Sequence, residues 1–577
     1  MLETDGVEPD AALIEGWRTR VARARASLGW TISGVVARRH LGGVSLALAA
    51  PPDQLFTATE VNEWALCAAL LARDPARWSD LEQALAADAL EGVADPAAVT
   101  PPVLEEQAAL ERLALLASRE ARPDLIRLLE AAAAHALPYV LDETLLTLGA
   151  GIGGRDFELA SLPEVAAVPW SALSDIPTAL VTGSNGKTTS ARLLAACAEA
   201  HGWRSAYCCT DGVFLGSTAL ASGDYAGPLG ARRVIRERRA QCAIVETARG
   251  GILRRGIALN HAHVALVTNV SPDHFGEFGI DDLDGLADVK LSVAGVLGRE
   301  GLLVLNADDE RLVARAPGLA RRFGRAPALG WFALDADRAL LSAHRERGGA
   351  TCGVRGGRLV LKYGAREHDL GAVSAMPLTV GGSATYNVAN LAGAALAAAA
   401  LGVPATSIAA VYERFGSSVA DNFGRMMRFE RGGVRILVDY AHNTEGLRGL
   451  LEVAEHLRAG RGRLGTLLGH AGNRQDAEIE ALARVAADFH PALVVVKENE
   501  AHLRGRAPGE IPRIIHAALL RAGVPESSVP VRMSELEAVQ CALEWARPGD
   551  VLALPVHSAA ARESVLALLA SERGGGG

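Results

Sequence analysis

Hydrophobic and polar positions change their spacing along the chain near residue 177. Before it, apolar residues recur at helical intervals, as in "PDLIRLLEAAAAHALP". After it, short apolar and β-branched runs such as "TALVTG", "CAIVET" and "VALVTNV" alternate with longer helical runs. Strands that alternate with helices indicate βαβ units around a parallel sheet. The pattern predicts a helix-rich α+β N-terminal region followed by an α/β region.

The spacing of apolar residues also divides the α/β region. Residues 350–380 hold short alternating segments with glycine turns, which predict a small antiparallel insertion. A new strand, "VRILVDYAH", then begins a second α/β series that reaches about residue 568. We therefore predict four segments: an N-terminal region 1–170, a central parallel-sheet domain 171–428, a C-terminal Rossmann-like domain 429–570 and a disordered glycine-rich tail 571–577.

Composition excludes several classes of protein. With 577 residues, 49% hydrophobic and 22% charged, the chain reads as a globular protein of several domains. A net charge of -9 offers no basic surface for nucleic acid, and no apolar run is long enough to predict a membrane span. The N-terminus lacks the features of a signal peptide, and the seven cysteines form no CxxC pair. These features predict a cytoplasmic protein with reduced thiols.

Lysine is rare in this chain. The four lysines are Lys187, Lys290, Lys362 and Lys497, and every other basic residue among the 58 is arginine. A chain that uses arginine wherever either cation serves makes each lysine a candidate for a task that a guanidinium cannot perform. Lys187 lies inside the glycine-rich segment "VTGSNGKTTS".

This segment stands between a predicted strand and a predicted helix. Backbone N–H groups of such a turn, with the helix N-terminus, suit a phosphate group. Lys187 would reach the β and γ phosphates, and the Thr188 hydroxyl would hold Mg²⁺. The spacing is shorter than the general GxxxxGK[ST] pattern, and a purely structural turn is the alternative. The predicted phosphate-binding residues are Gly183, Ser184, Asn185, Gly186, Lys187, Thr188 and Thr189.

The glycine segment resembles the phosphate loop of the Mur ligase family, whose members are ATP-dependent ligases that form amide bonds. "VETARGG" is similar to the family segment with a Mg²⁺-binding glutamate, here Glu246. "TNVSPDHFGEFG" resembles its N-x-x-x-D-H segment, with Asn269, Asp273 and His274, and Lys290 follows sixteen residues after His274. The resemblance implies that Lys290 is carbamylated by CO₂ and coordinates a second Mg²⁺. A guanidinium forms no carbamate; an ordinary surface lysine is the alternative.

Three further segments resemble the same family, namely "TYNVANLAGA", "NFGRMMRF" and "LVDYAHN". The first implies that Asn387 and Asn390 lie near the adenine. The second implies that Arg425 reaches the γ-phosphate. The third implies that Asp439 faces the ribose and that His442 lies beside the nucleotide.

Within the family, "ETARGGILRRG" and "KENEAHLRGRAPGE" look most like the C-terminal half of cyanophycin synthetase. That half attaches arginine to aspartate side chains of a peptide. Residues 134–163 resemble the lead-in to the ATP-grasp half of the same enzyme, but the phosphate loop follows too soon for a core of about 200 residues. We therefore expect no second ATP site in residues 1–170, and a role as scaffold or homo-oligomer contact.

Charged residues near two predicted strand ends are candidate substrate ligands. Arg249, Arg254 and Arg255 would hold the carboxylate substrate, with ordinary surface arginines as the alternative. A predicted loop after the strand "VVV" would hold a basic amino acid, again with solvated charges as the alternative. Its candidate residues are Lys497, Glu498, Glu500, Arg504 and Arg506.

These residues together predict an ADP-forming ligase. A small-molecule or peptide carboxylate would attack the γ-phosphate of ATP, and the acyl phosphate would react with an amino acid amine. The predicted catalytic residues are Lys187, His274, Lys290 and Arg425. Two Mg²⁺ ions would be held by Thr188, Glu246, His274 and carbamylated Lys290. The alternatives are a non-catalytic partner of a full-length cyanophycin synthetase, a folylpolyglutamate- or muramyl-peptide-type ligase, and a P-loop kinase or ATPase.

Overall fold

The computed structural model of the chain describes residues 2–4, 10–32, 34–40, 43–78, 80–81, 105–272, 275, 277–498 and 502–570. Three of the predicted site residues, Asp273, His274 and Glu500, lie outside the described residues, as does the tail 571–577. The chain divides into two compact units. The first comprises residues 1–148, 155–173 and 276–281, and the second comprises the remainder.

The first unit combines helices with two small antiparallel sheets, as the sequence predicts. Its helices are α1 (Ala11–Ser27), α2 (Leu55–Arg73), α3 (Glu106–Glu120) and α4 (Pro123–Ala134). One sheet has the order β1-β3-β2 and the other the order β4-β5-β6. Their strands are β1 (Leu2–Glu3), β2 (Val35–His40), β3 (Gly43–Leu48), β4 (Tyr139–Leu141), β5 (Leu145–Leu148) and β6 (Arg155–Glu158). Trp17 and Trp64 are fully buried in its core, and the Trp17 indole N–H donates to Asn62 Oδ1 at 2.8 Å.

Across the described ranges, the second unit contains a central eleven-stranded sheet. Its order is β10-β9-β8-β11-β7-β12-β13-β14-β15-β16-β17. The strands are β7 (Thr178–Thr182), β8 (Ser205–Cys209), β9 (Gly212–Leu215), β10 (Thr218–Ser222), β11 (Cys242–Glu246), β12 (Ala262–Val267), β13 (Leu297–Asn306), β14 (Ala328–Asp335), β15 (Ala350–Arg355), β16 (Arg358–Tyr363) and β17 (Arg366–Ala372).

The helices of this part of the unit lie between and after those strands. They are α5 (Lys187–Ala200), α6 (Pro228–Arg236), α7 (Arg249–Arg255), α8 (Leu283–Leu291), α9 (Glu310–Arg315), α10 (Leu319–Phe323), α11 (Ala339–Glu346), α12 (Thr385–Leu401) and α13 (Ala405–Tyr412). The alanine-rich helix α12 is almost entirely buried, because it packs against both α5 and the sheet.

Strand β7 lies at the centre of the sheet and determines where the phosphate loop stands. All five of its residues are buried, and it pairs in parallel with β11 on one side and β12 on the other. A buried strand in a parallel sheet reads as a continuous apolar run, which is why "TALVT" is recognisable from the sequence. Chain segments that leave neighbouring parallel strands at their carboxyl ends form the usual ligand crevice of such sheets.

The antiparallel segment near residues 350–380 extends this sheet. Strand β15 pairs in parallel with β14, and the pairs β15–β16 and β16–β17 are antiparallel. The predicted antiparallel character is therefore present, but the segment forms an edge of the main sheet.

A second, six-stranded sheet follows, with the order β18-β19-β23-β20-β21-β22 in the described residues. Its strands are β18 (Met427–Arg431), β19 (Val434–Asp439), β20 (Leu464–Leu468), β21 (Leu493–Lys497), β22 (Val531–Arg532) and β23 (Val551–Pro555). The accompanying helices are α14 (Thr444–Arg458), α15 (Asp476–Asp488), α16 (Glu510–Arg521), α17 (Glu535–Trp545) and α18 (Ala559–Ala570). We refer to this sheet with its helices as the C-terminal domain.

Two general expectations from composition can be compared with the structure. None of the helices in the described ranges is long and apolar enough to cross a membrane. All seven cysteines are free thiols.

Candidate active site

The glycine segment forms a tight loop between β7 and the first turn of α5. Gly186 has a φ of 83°, a conformation that favours glycine. A Cβ there would also come within 2.1 Å of Asn390 Oδ1, and one at Gly183 would come within 1.8 Å of Thr268 Oγ1. Both glycines are therefore required by the close approach of neighbouring side chains.

The residues that follow β12 hold this loop in place. The backbone N–H of Asn185 donates to Asn269 Oδ1 at 2.9 Å, and Thr268 Oγ1 donates to the Asn185 carbonyl at 2.5 Å. The Ser184 hydroxyl donates to the Ser271 carbonyl at 2.9 Å. The loop is thus rigidly anchored, which favours preorganised binding of a phosphate chain.

A buried carboxylate lies beside the loop. Glu246 ends β11 and has no exposed surface. Its two oxygens accept hydrogen bonds from Thr188 Oγ1 at 2.8 Å and from Thr210 Oγ1 at 3.1 Å. Burial raises the pKa of the Glu246 carboxyl, and the nearby Lys187 and the Thr188 hydroxyl oppose that shift. A carboxylate and a hydroxyl placed together in this way are suitable oxygen ligands for Mg²⁺.

Lys187 lies over the phosphate loop. Its Nζ donates to the carbonyl oxygens of Gly183 at 3.0 Å and Ser184 at 2.9 Å. The ammonium group is therefore held where the phosphates of a nucleotide would meet it.

The loop opens into a cavity of about 370 Å³ between the central sheet and the C-terminal domain. The cavity brings together most of the predicted nucleotide-binding residues from six separate stretches of sequence. Those that line it are Ser184, Asn185, Gly186, Lys187, Thr188, Thr189, Glu246, Asn269, Asn387, Asn390, Arg425, Asp439 and His442.

Asn387 and Asn390 lie in the first two turns of α12, and both are buried. Asn387 Nδ2 donates to the Leu378 carbonyl at 3.1 Å, and Asn390 Nδ2 donates to Asn387 Oδ1 at 3.1 Å. These bonds fix the orientation of both amides at the cavity wall.

Arg425 and Asp439 reach the cavity from the start of the C-terminal domain. The Arg425 guanidinium lies 4.3 Å from the centre of the Tyr440 ring. Asp439 Oδ2 accepts the Met426 N–H at 2.6 Å. Burial raises the pKa of Asp439, and Arg425 opposes the shift.

Asn185 of the phosphate loop is hydrogen-bonded directly to the C-terminal domain, and the longer of its two bonds there runs from Asn185 Nδ2 to Glu445 Oε2 at 3.5 Å. Asn443 Nδ2 donates to Asn185 Oδ1 at 3.0 Å, while Asn443 Oδ1 accepts the Gly446 N–H and so caps α14. The cap and the loop contact therefore depend on the same side chain.

Lys290 lies in the last turn of α8 and is 2% exposed. It is therefore not a surface lysine. Of the three arginines predicted to hold the carboxylate substrate, Arg249 is buried at the start of α7, and Arg254 and Arg255 are exposed on the same helix.

The predicted amine-binding residues separate into three environments. Lys497, expected on a loop, is the last residue of β21, is fully buried, and forms an ion pair with Glu535. Glu498 is 2% exposed; its Oε2 accepts the Gly509 N–H at 2.7 Å, and its Oε1 is buried with no hydrogen-bond partner among the described residues. Arg504 is exposed, and Arg506 forms ion pairs with Asp476 and Glu510.

Several residues that line the cavity were not identified from the sequence, among them Thr210 and Tyr440. Thr210, in "CCTDG", donates to Glu246, and Tyr440, in "VDYAHN", supports Arg425. A hydroxyl directly after a predicted strand was the available indication for Thr210. Tyr440 is adjacent to the predicted Asp439.

The chain is similar in sequence to proteins of known family. The family model described as Mur ligase middle domain matches residues 181–336, and that described as Mur ligase, glutamate ligase domain matches residues 424–554. Cyanophycin synthetase from Trichormus variabilis is 34% identical over 381 residues, which are 66% of this chain and 41% of that protein. The chain thus spans about two fifths of the length of the cyanophycin synthetases that it matches.

UDP-N-acetylmuramoyl-L-alanyl-D-glutamate--2,6-diaminopimelate ligase from Alkalilimnicola ehrlichii is 30% identical over 384 residues, which are 64% of this chain and 69% of that protein. Among solved structures, MurF from Acinetobacter baumannii is similar with a TM-score of 0.46 at 16% identity, covering 69% of this chain and 77% of that chain.

Proposed function

Because the chain belongs to the Mur ligase family, we propose that it is an ATP-dependent, ADP-forming ligase that joins a carboxylate to the amine of an amino acid. The observation that carries the proposal is the cavity in which the anchored phosphate loop, the buried Glu246 and Arg425 meet. Those groups supply donors for phosphates, an anionic metal ligand and a cation for a transferring phosphoryl group.

The reaction we propose has two steps. A carboxylate oxygen of the acceptor substrate attacks the γ-phosphorus of ATP, and ADP leaves. An amine nitrogen then attacks the carbonyl carbon of the acyl phosphate, phosphate leaves, and the amine loses a proton. Lys187 and Arg425 stabilise the charge that develops on the phosphoryl group during the first step. Closure of the C-terminal domain over the central domain would exclude water, which would otherwise hydrolyse the acyl phosphate.

The residues present fit a divalent cation. Glu246 is a fully buried carboxylate whose pKa is raised by burial, and its hydrogen-bond donors in the described residues are two neutral hydroxyls. A Mg²⁺ ion held by Glu246 and Thr188 would keep the carboxylate ionised and neutralise charge between the two reacting anions. We further propose, from the family resemblance, that His274 and carbamylated Lys290 hold a second Mg²⁺; burial of Lys290 excludes bulk solvent from its amine.

The amine substrate we propose is a basic amino acid. Glu498 Oε1 is buried and has no hydrogen-bond partner in the described residues, so a bound cation would satisfy it. Arg504 would bind the α-carboxylate of the same amino acid. By similarity to cyanophycin synthetase, the carboxylate substrate would be an aspartate side chain of a peptide, near Arg249 and Arg254.

The test is release of ADP from ATP and Mg²⁺ with candidate carboxylates and amines, with mass spectrometry of the products. We expect aspartate-containing peptides with arginine or lysine to give an amide product.

Lys187→Ala should lower turnover by about a hundredfold or more. Lys362→Ala, which removes a lysine bonded to the Gly364 carbonyl at 2.7 Å, should not. ADP release that needs no amine would contradict the ligase and favour a kinase or ATPase. Absence of ADP release with every substrate pair tested would favour a non-catalytic partner.

A further inference from the structure

Asp211, in the turn between β8 and β9, joins two arginines from different domains. Its Oδ2 accepts a hydrogen bond from Arg192 Nη2 at 2.9 Å, and its Oδ1 accepts one from Arg562 Nη2 at 2.7 Å. Arg192 belongs to α5, which begins at the phosphate loop, and Arg562 belongs to α18, the last described helix of the C-terminal domain. We propose that these three residues, the latch, position the C-terminal domain over the nucleotide cavity for the reaction proposed above.

The latch is buried, which distinguishes it from the surface ion pairs of the chain. The exposed fractions of its side chains are 6% for Arg192, 12% for Asp211 and 3% for Arg562. Removing one member of a buried charge cluster leaves the others without a counterion, a strongly unfavourable change. Exposed ion pairs contribute little to the free energy of unfolding by comparison.

Each arginine also binds a carbonyl oxygen that fixes its direction. Arg192 Nη1 donates to the Phe423 carbonyl at 2.7 Å, in the linker between the two sheets. Arg562 Nη1 donates to the His557 carbonyl at 2.8 Å. Asp211 thus binds two guanidinium groups whose orientation is already fixed. Arg192 precedes the linker in the sequence, and Arg562 follows it.

The turn that carries Asp211 also touches the candidate metal site. Thr210 precedes it and donates to Glu246 at 3.1 Å. Two consecutive residues therefore contact the carboxylate of the cavity and the C-terminal domain. A second connection passes through Tyr440, whose ring centre lies 5.3 Å from the Arg562 guanidinium and 4.3 Å from that of Arg425. Displacing Arg562 would therefore disturb the support of Arg425.

The other end of the latch continues toward the proposed amine site. The His557 N–H donates to Glu535 Oε1 at 2.9 Å, and Glu535 forms an ion pair with Lys497. Lys497 immediately precedes Glu498. This chain of contacts gives the buried Lys497 a structural role. Lys497 fixes Glu535, Glu535 holds the backbone N–H of His557, and the His557 carbonyl orients Arg562.

The latch residues are positioning residues, because Arg192, Asp211 and Arg562 are not among the residues that line the nucleotide cavity. Loss of the latch should lower kcat, since the acyl phosphate and the amine would be less well aligned. The KM for ATP should change little, because the contacts of the phosphate loop are retained.

The experiment compares Asp211→Asn, Arg562→Gln and the double variant with the wild type. We expect kcat to fall by about tenfold or more in each single variant, with the KM for ATP within about threefold of the wild-type value. The double variant should lose little more than either single variant, because both remove the same interaction.

Glu480→Gln is the matched control. Glu480 also lies between two arginines, Arg521 at 2.8 Å and Arg484 at 3.5 Å, but it is 34% exposed and all three residues belong to the C-terminal domain. This variant should keep the wild-type kcat.

Small-angle X-ray scattering of the full chain provides a readout that does not depend on activity. With and without a non-hydrolysable Mg–ATP analogue, Asp211→Asn should have a larger radius of gyration than wild type and Glu480→Gln. Wild-type kcat and radius in Asp211→Asn would overturn the proposal. So would strictly additive losses, or a lowered melting temperature with unchanged kcat, which indicates a merely structural role. If the wild type ligates no substrate pair, the proposed function fails. The radius of gyration of Asp211→Asn then decides whether the latch positions the C-terminal domain.

Discussion

At the scale of single residues, the lysines of this chain differ sharply in their surroundings. Lys497 is fully buried against Glu535, and Lys290 is 2% exposed in the last turn of α8. Lys187 lies over the phosphate loop. A buried ammonium is unfavourable unless it is paired or chemically altered. Lys497 is stabilised by its ion pair with Glu535. For Lys290 we propose carbamylation on the family resemblance alone.

Lys290→Arg is the sharpest test of that proposal. Arginine keeps the positive charge and nearly the length of the side chain but forms no carbamate, so ligation should fall by about a hundredfold or more. The measurement is kcat for amide formation at saturating bicarbonate. Lys362→Arg is the control, because Lys362 is a partly exposed lysine of the central sheet that binds a turn carbonyl.

Lys290→Ala extends the test by chemical rescue. A short carboxylic acid added to this variant should restore part of the activity, since it supplies the carboxylate that the carbamate would provide. Wild-type turnover in Lys290→Arg would disprove the carbamate. Absence of rescue together with a normal melting temperature would also count against it.

At the scale of elements, the phosphate loop is defined by backbone shape as much as by its side chains. Gly186 combines a φ of 83° with a Cβ position only 2.1 Å from Asn390 Oδ1. Gly202, just beyond the other end of α5, has a φ of 99°, but a Cβ there would meet no atom within 4 Å. The two glycines therefore share a backbone conformation that strains other residues, and they differ in steric contact.

Gly186→Ala should weaken Mg–ATP binding by about tenfold or more, because the methyl group must displace Asn390 and the loop together. Gly202→Ala introduces a comparable backbone strain of about 1 kcal/mol without that contact, so it should lower stability while nucleotide affinity stays the same. Isothermal titration calorimetry measures both affinities. Equal affinities in the two variants would show that the loop shape is not required.

The loop after β21 carries the prediction about the amine. Glu498→Gln keeps the size of the side chain and an acceptor for the Gly509 N–H, but removes the charge. We expect the KM for a basic amino acid to rise by about tenfold or more, with ATP affinity unchanged. Glu526→Gln, at an exposed position of the same domain, is the control. If a basic amino acid is used equally well by both variants, the amine site lies elsewhere.

Elements with a strong local pattern could be predicted from the sequence. The strand "TALVT" is buried on both faces, so its apolar run is continuous and its position before the phosphate loop is recognisable. The edge formed by β15–β17 was predicted as antiparallel but not as part of the main sheet. Its attachment depends on the pairing of β14 with β15, a contact decided by the tertiary structure.

At the candidate site, too, features set by local sequence could be predicted and features set by tertiary contacts could not. The glycine motif indicated the residues of the phosphate loop, because their chemistry is local to one turn, and the family resemblance indicated Glu246. Asp211 and Arg562 carry no such pattern, since they are 351 residues apart in sequence and meet only when both domains are folded. The burial of Lys497 likewise depends on Glu535, 38 residues away.

At the scale of the whole molecule, the chain divides into two units, and the phosphate loop belongs to the second. The sequence predicts no second ATP site in residues 1–170. We therefore expect one nucleotide bound per chain at saturation. Equilibrium dialysis of the full chain with a labelled non-hydrolysable ATP analogue measures the ratio. A ratio of two would contradict the prediction, and Lys187→Ala would then show which of the two sites remains.

The hydrogen bond between Asn185 and Asn443 has a consequence for protein engineering. Exchanging the C-terminal domain for that of a relative is an obvious way to change the amine that is used. The contact of Arg192 with the Phe423 carbonyl would survive such a graft, because any residue supplies a main-chain oxygen. The bond from Asn443 to Asn185 would survive only if the donor domain also begins its first helix with asparagine, since the same side chain caps α14. Chimeras that keep this asparagine should therefore retain nucleotide binding, and the others should need a compensating change in the recipient loop.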